Sequence, residues 1–599
     1  MKLNILKNLF VLALMCTGLV SCSLNEYNPT GTTVLTVISS KAGFQLAINN
    51  CYFGLQRSYY GKLNMMLCTE GGTDLWTARQ NSNYYSSQLK YGQGGLISLN
   101  VASDLWNSGW DGIGSCNLCI ENADKVTDFK DVNEKNALVA EAYFMRALYY
   151  YHLVEQFGDI TLTMEVPKVI DNSPKRTSAL DIYEKCIIPD LEFASKWLPL
   201  SNTAQEGRGF RKSAMGLLAR AYLQTKEYTD DNKYVVKALD LAKTMISDCE
   251  SGGTLYNTYM YPNLVDVFAK GNNLNNKESL YSVAFSQKGG STNLWQHNDT
   301  YQMYYCKPDQ FGAILYTGHQ TEYGRFSNGT LMPSKYMIDL FKQNDNTIDP
   351  RFYTYFQTQW TANNKYTWNS DNIKMYDKTS AVTTATVVNA GDVAIRFIRP
   401  EESTYAAYSA QKLTSPSLVV DYNDLYGSDK RVKMKYARLN DGTNADNPFF
   451  YYYPSLSKFN TDNFGYISAS NGRFGCDASA IVMRMSEIYL IAAEADVYLN
   501  GGSGAAVYIN KVRTRAGAKI LSGNITLDMV LEERAREVGG EHVRWYDLKR
   551  THKLTKAYLL DKNPDVGDYF VDGYYAVRPI PQVFTDVIVN GADYQNPGY

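Results

Sequence analysis

The chain has 599 residues, 59 basic against 61 acidic, for a formal net charge of −2. That balance supplies no electrostatic argument for nucleic acid, which is recognised by a basic surface, so no nucleic-acid partner is expected. The length exceeds one ordinary core and predicts a large domain with insertions. The unusual count is 48 tyrosines. Tyrosine joins a flat apolar face to a hydrogen-bonding tip and loses little rotamer entropy when held, which suits binding surfaces, although most of these rings are expected to pack.

The chain starts with a short basic region (Lys2, Lys7) and an apolar run from Leu9 to Val20. At about a dozen residues the run is too short to span a bilayer and reads as a secretory signal. Leu19-Val20-Ser21-Cys22 has the form of a lipobox. Residues 1–21 are therefore predicted to be a lipoprotein signal peptide. Cys22 is predicted to be the lipidated first residue of the mature chain, held by several acyl chains because one alone binds only marginally. Residues 22–39, polar and containing Pro29 and Gly31, are predicted to be a tether. No later stretch approaches ~20 apolar residues.

Of ten cysteines, Cys16 leaves with the signal and Cys22 carries lipid. The rest are scattered through a chain long enough to need no staples. Cys116 and Cys119 form a CxxC inside a predicted helix with no second pair for zinc. They are expected to be a buried, unmodified pair, with a disulfide as the alternative.

Residues 40–280 are predicted as the N-terminal part of a helical scaffold. A helix over Ser103–Lys125 would pair with one over Val132–Phe157. The second has capping-box spacing at Asp131 and Glu134, an apolar stripe through Ala137, Ala140, Phe144, Ala147, Leu148, Tyr151 and Val154, and a stop at Gly158. Ala179–Trp197, Arg211–Lys226 and Lys233–Ser247 follow. Ala142-Tyr143 and Ala221-Tyr222 place small residues where helices approach closely, a tetratricopeptide-like pattern with an irregular period. Residues 281–480 are rich in Asn, Gly, Thr, Tyr and Asp, with short runs such as Val393–Ile398 at strand length. They are predicted as an irregular, loop-rich ligand-binding region. Helices return at Ile481–Leu499, Gly504–Ala516, Leu527–Val538 and Glu541–Thr551, so 481–599 completes the scaffold. The fold class is mostly α: helical hairpins carrying a large irregular region with small strands.

Three stretches are specific in combination. They are Glu141-Ala142-Tyr143-Phe144-Met145-Arg146-Ala147-Leu148-Tyr149-Tyr150-Tyr151 running to Phe157-Gly158-Asp159; Leu531-Glu532-Glu533-Arg534-Ala535-Arg536-Glu537 with Arg544-Trp545-Tyr546-Asp547-Leu548-Lys549-Arg550; and Arg578-Pro579-Ile580-Pro581-Gln582 with the Tyr594–Tyr599 ending. Together with the lipobox, Pro333–Phe341 and Asp349-Pro350-Arg351, they make the chain resemble the SusD/RagB family of Bacteroidetes outer-membrane lipoproteins over nearly its whole length. The resemblance implies a tetratricopeptide-like scaffold and a lid, without catalytic activity, on a SusC-like TonB-dependent transporter. It also implies capture of an oligosaccharide at the cell surface, with peptide handling ascribed to some members. On the residues themselves, Leu531, Ala535 and Val538 share one helical face and Glu532/Arg536 have i,i+4 spacing worth only ~0.2–0.5 kcal/mol. Both signature helices therefore read as hairpin packing.

Sugar binding calls for exposed aromatic faces beside amides, carboxylates or guanidiniums. Two clusters have that composition: Trp76 with Arg79, Asn81, Asn83, Tyr84 and Tyr85, and Trp295 with Asn298, Tyr301, Tyr304 and Tyr305. The resembled family draws ligand aromatics from roughly these regions, without a residue-level motif. Trp360 and Trp368 are weaker candidates, and Tyr451-Tyr452-Tyr453 reads as packing. Against enzymatic function, the chain has no HExxH, P-loop, GxSxG or complete GxGxxG, and its five histidines (His152, His297, His319, His542, His552) lack metal spacing. A spatial carboxylate pair for glycoside hydrolysis would be invisible at this level. Neither enzyme activity nor a cofactor or metal is expected. The leading expectation is oligosaccharide capture, the others peptide capture on the same scaffold or a lid that binds no ligand.

Overall fold

The computed structural model of the protein describes residues 34–78, 89–91, 100–200, 207–273, 275–285, 298, 304–306, 331–433, 437–439, 448–450, 452–459, 466–468 and 474–599. Cys22, Arg79, Asn81, Asn83, Tyr84, Tyr85, Trp295, Tyr301, His297, His319 and Tyr451 lie outside the described residues, as do the signal sequence and most of the proposed tether. A short helix, Val34–Ile38, already stands within the stretch expected to be tether.

Helix predominates. The scaffold consists of α1 (Lys41–Cys51), α2 (Asn100–Asn122), α3 (Val132–Phe157), α4 (Ile188–Trp197), α5 (Arg211–Gln224), α6 (Lys233–Glu250), α7 (Met485–Asn500), α8 (Ala505–Arg515), α9 (Leu527–Val538) and α10 (Arg544–Arg550). From α2 to α7 each helix packs on the next, so α6, far upstream in sequence, lies directly against α7. This is the array of packed helices expected of a tetratricopeptide-like scaffold. At Gly112 a side chain would collide with the Tyr149 ring, which shows how closely α2 and α3 approach.

Helix α3 is built as its ends require. The Asp131 carboxylate accepts from the backbone N–H groups of Asn133 and Glu134, both at 2.9 Å, and Gly158 leaves the helix at φ +71°, a conformation side chains disfavour. Its interior differs from the expected single stripe: from Val139 to Phe157 every residue except Tyr143 is buried. A helix enclosed on all sides must neutralise its polar groups internally. Arg146 is clamped bidentately by Asp190 at 2.7 and 2.8 Å, and His152 lies between Tyr60 and Tyr546 at 2.8 and 3.0 Å.

The strands are short. β1 (Trp76–Ala78), β2 (Ser279–Val283), β3 (Leu331–Pro333), β4 (Gln359–Thr361), β5 (Val393–Ile398), β6 (Leu418–Asp421) and β7 (Ala480–Arg484) are those that position the sites below. β1 pairs with β3, β2 with β7, and β4–β5–β6 form a three-stranded sheet in which β5 and β6 are parallel. β7 corrects one expectation. The apolar run from Ile481 does not start a helix; it extends to pair with β2, and α7 begins only at Met485. A short apolar run fits a buried strand and a buried helix equally well.

Candidate functional site

The second signature stretch, expected to pack through its apolar face, is instead the centre of a buried ionic network. Glu533, Glu537 and Glu541 on and after α9 are 0–5% exposed. Glu537 meets Arg351 at 3.1 Å, Arg484 at 2.6 Å and Arg515. Glu533 meets Arg351 at 2.8 Å and Arg513 at 2.6 Å. Arg351 is in turn held by Asp349 at 2.7 Å, which gives the Asp349-Pro350-Arg351 motif its role. Burial pushes the Glu533 carboxyl up, but Arg351, Arg536 and Arg513 overcome it and hold the group at about 2. A second knot joins Arg534 and Arg550 to Asp547, Arg534 and Arg220 to Glu487, and Arg550 to Glu494. The Glu532–Arg536 pair read from the spacing is long, at 3.8 Å, with Glu532 partly exposed.

Beside this network, Glu541 and His542 contribute to a small cleft, about 40 Å³ in volume, lined also by Phe268, Asn273, Asn276, Asn298, Phe459 and Ser479. Local bonds orient each amide. Asn298 donates to the Ala478 carbonyl at 2.9 Å, Asn273 to that of Asp477 at 3.2 Å, and Asn276 to that of Val267 at 2.6 Å. Phe268 and Phe459 meet edge to face at 5.6 Å, with the Lys458 ammonium near both rings. Amides with fixed direction and aromatic edges can hold a hydroxyl-rich ligand without chemistry. Glu541 offers no proton: burial favours its neutral form, but Arg484 at 2.9 Å and Lys458 at 2.7 Å keep it ionised. Burial also lowers His542 to about 4, so it is neutral at physiological pH.

The predicted aromatic clusters separate on inspection. Asn298 reaches the cleft. Trp76 does not present a face to ligand: it is fully buried on β1, its indole donates to Glu70 at 2.9 Å, and its ring lies 4.6 Å from Tyr304. Tyr304 and Tyr305 are likewise buried. These rings are core, because β1 pairs with β3 and closes over them, a tertiary fact with no local signature. Glu70, pushed by burial to about 7, also accepts the backbone N–H groups of Gly540 and Val543 at 3.2 Å each, thereby holding the turn that carries Glu541 and His542. Trp360 and Trp368 are 1% exposed, and Tyr452 and Tyr453 are packed. Cys116 and Cys119 are buried free thiols, joined by Cys51, whose sulfur lies 3.9 Å from that of Cys119. Phe459 and the Asn273/Asn276 pair were missed; neither carries a periodic or motif signal.

Comparison with known proteins places this architecture. A model described as "SusD family" matches residues 216–599, and one described as "Starch-binding associating with outer membrane" matches 36–223. The chain belongs to the SusD family. A SusD-like protein of Formosa agariphila is 25% identical over 558 residues, 89% of this chain and 88% of the relative. A SusD-like protein of Bacteroides ovatus is 31% identical over 156 residues, 26% of this chain and 27% of that one. Among solved structures, a SusD homolog from Bacteroides thetaiotaomicron has a TM-score of 0.65 at 18% identity, covering 94% of this chain and 98% of the other. A laminarin-binding SusD-like protein has a TM-score of 0.61 at 19% identity, covering 94% of this chain and all of the other. The SusD fold is thus shared along nearly the whole chain. No helix among the described residues is long and apolar enough to cross a membrane.

Proposed function

We propose that this SusD-family chain captures an oligosaccharide at the cell surface and delivers it to a SusC-like TonB-dependent transporter, anchored in the outer membrane through lipid on Cys22. The observation that carries the reading is a conjunction. The N-terminal family model is described as starch-binding and associating with the outer membrane, and the chain has a cleft of oriented amides and aromatic edges that contains Asn298. A laminarin-binding relative with the same fold supports a neutral glucan as the first ligand to try. The fixed ion pairs of Glu541 favour binding over hydrolysis, because a carboxylate held ionised by two cations is a poor general acid. Of the predicted residues, Trp295 and Tyr301 are proposed to supply the stacking faces and Asn298 the amide, with Arg79, Asn81 and Tyr84 as a second, untested group.

The test is affinity electrophoresis of the full chain, solubilised in a polyoxyethylene detergent, through gels containing laminarin, amylopectin or other neutral polysaccharides. Retardation by one glycan that weakens in Trp295→Ala supports capture at this site. Passage through every gel without retardation refutes glycan capture and favours a peptide ligand.

A further inference from the structure

A second concavity lies wholly within the irregular region and shares no lining residue with the cleft. Its floor is β4 against β5, where Gln359 and Arg396 stand opposite each other in register, and the Phe397 N–H donates to the Thr358 carbonyl at 2.7 Å. One wall is the short helix Arg351–Tyr355, the other the turn through residues 401–404, closed by the Glu402 N–H donating to the Arg399 carbonyl at 3.0 Å. The groove has a volume of about 470 Å³ and is open to solvent.

Its side chains are held in place. Tyr353 is 50% exposed although the neighbouring Phe352 and Tyr355 are core. Its ring meets Phe352 edge to face at 5.2 Å, and its hydroxyl donates to Glu402 at 2.8 Å. Arg396 lies with its guanidinium 4.3 Å from the centre of the Tyr408 ring, which leaves its N–H edges directed sideways. Glu401 is neutralised by Arg399 at 2.8 Å and Lys342 at 3.5 Å. The groove therefore offers one carboxylate and one guanidinium, an exposed aromatic face, the Gln359 amide and the hydroxyls of Thr347, Ser403 and Thr404. A charged ligand would find its charge already matched by an opposite and a like group. A deep apolar side chain would find no pocket, since Phe397 is covered. A pyranose ring finds both an aromatic face for its C–H surface and fixed partners for its hydroxyls.

We propose that this groove is a second carbohydrate-binding site that holds an internal stretch of a neutral polysaccharide chain while the cleft takes another part of the same chain. Tyr353 stacks on one sugar ring, and Arg396, Gln359 and Glu402 bind its hydroxyls. The inference rests on the glycan reading above, but on different residues. Two weak sites on one chain raise the affinity for long polymers far more than for short oligosaccharides, since the second contact is made at high effective concentration.

The test uses the detergent-solubilised full chain, with laminarin and amylopectin in the gel and their short oligosaccharides in calorimetry. Tyr353→Ala is expected to weaken retardation by roughly threefold to tenfold, the range for one lost aromatic contact, with an unchanged melting temperature because Tyr353 is half exposed. Tyr353→Phe keeps the ring and should retain most of the binding. The double variant of Tyr353→Ala with Trp295→Ala should abolish the retardation that either single variant leaves. If the wild type is retarded and Tyr353→Ala and Arg396→Ala move with it, the second site is wrong and the glycan reading stands. If the wild type itself is not retarded, both fall.

Discussion

The α9–α10 segment and the β4–β5 groove are both rich in charged and aromatic side chains, yet they use them in opposite ways. In α9–α10 most of the charges are buried, and the central carboxylates meet several partners, as with Glu537 between Arg351, Arg484 and Arg515. In the groove, Tyr353 is fixed by Phe352 and Glu402 and Arg396 lies against Tyr408, and neither side chain is fully buried. The signature motifs of the SusD family in this chain therefore build the scaffold. The groups suited to ligand are those whose bonding capacity the fold leaves partly unused. A charged residue in a recognisable motif is weak evidence for a binding site until its partners are counted.

This contrast breaks most easily at Glu537. Glu537→Ala removes the carboxylate shared by three buried guanidiniums, and removing one partner of such a network costs about 3–5 kcal/mol. Loss of soluble protein or a large fall in melting temperature is expected; a variant that melts with the wild type would show that the network does not hold the scaffold. Trp76→Ala comes next, at roughly 3–5 kcal/mol for emptying a packed core position. Trp76→Phe should recover most of the stability while binding glycan like the wild type, since the indole faces Tyr304 and not solvent. A selective loss of binding in Trp76→Phe would return Trp76 to the ligand site.

A third effect is read in pH. Burial lowers His542 from its usual value to about 4, so the folded state favours the neutral ring. The stability this contributes is fully present above about pH 6.5 and is lost as pH falls through 6.5 to 4, by up to roughly 3 kcal/mol. Buried His152 acts in the same direction. Glu70, raised to about 7, acts oppositely: its contribution is present below about pH 4.5 and is lost as pH rises through 7. His542 sits at φ +65°, which asparagine tolerates. His542→Asn should therefore flatten the acid limb of melting temperature against pH, and an unchanged slope would remove His542 as a contributor. The smallest effect is expected of Trp295→Ala, a several-fold loss of glycan retardation.

Elements with local punctuation were legible in the sequence. Val132–Phe157 and Leu527–Val538 have the predicted limits, because caps such as Asp131 and Thr526 and stops such as Gly158 and Gly539 act through near neighbours. Strand β5 was legible as Val393–Ile398 for its length and branched residues. The start of α7 was not, since the extension of Ala480–Arg484 depends on β2, some 200 positions away. The same limit hid the site. The burial of Trp76 and Tyr304 follows from strand pairing, and the exposure of Tyr353 from a helix with its other face in the core. Asn298, which lines the cleft, stands out in the sequence because an amide among aromatics is a compositional signal. Phe459 and Tyr353 do not, because single rings in irregular chain carry none.

The most direct test of the account is affinity electrophoresis of the full-length wild-type chain through laminarin and amylopectin gels. The account predicts retardation by at least one neutral glycan, with the polymer remaining intact after incubation. Unhindered migration through all of them, or shortening of the polymer, would contradict it.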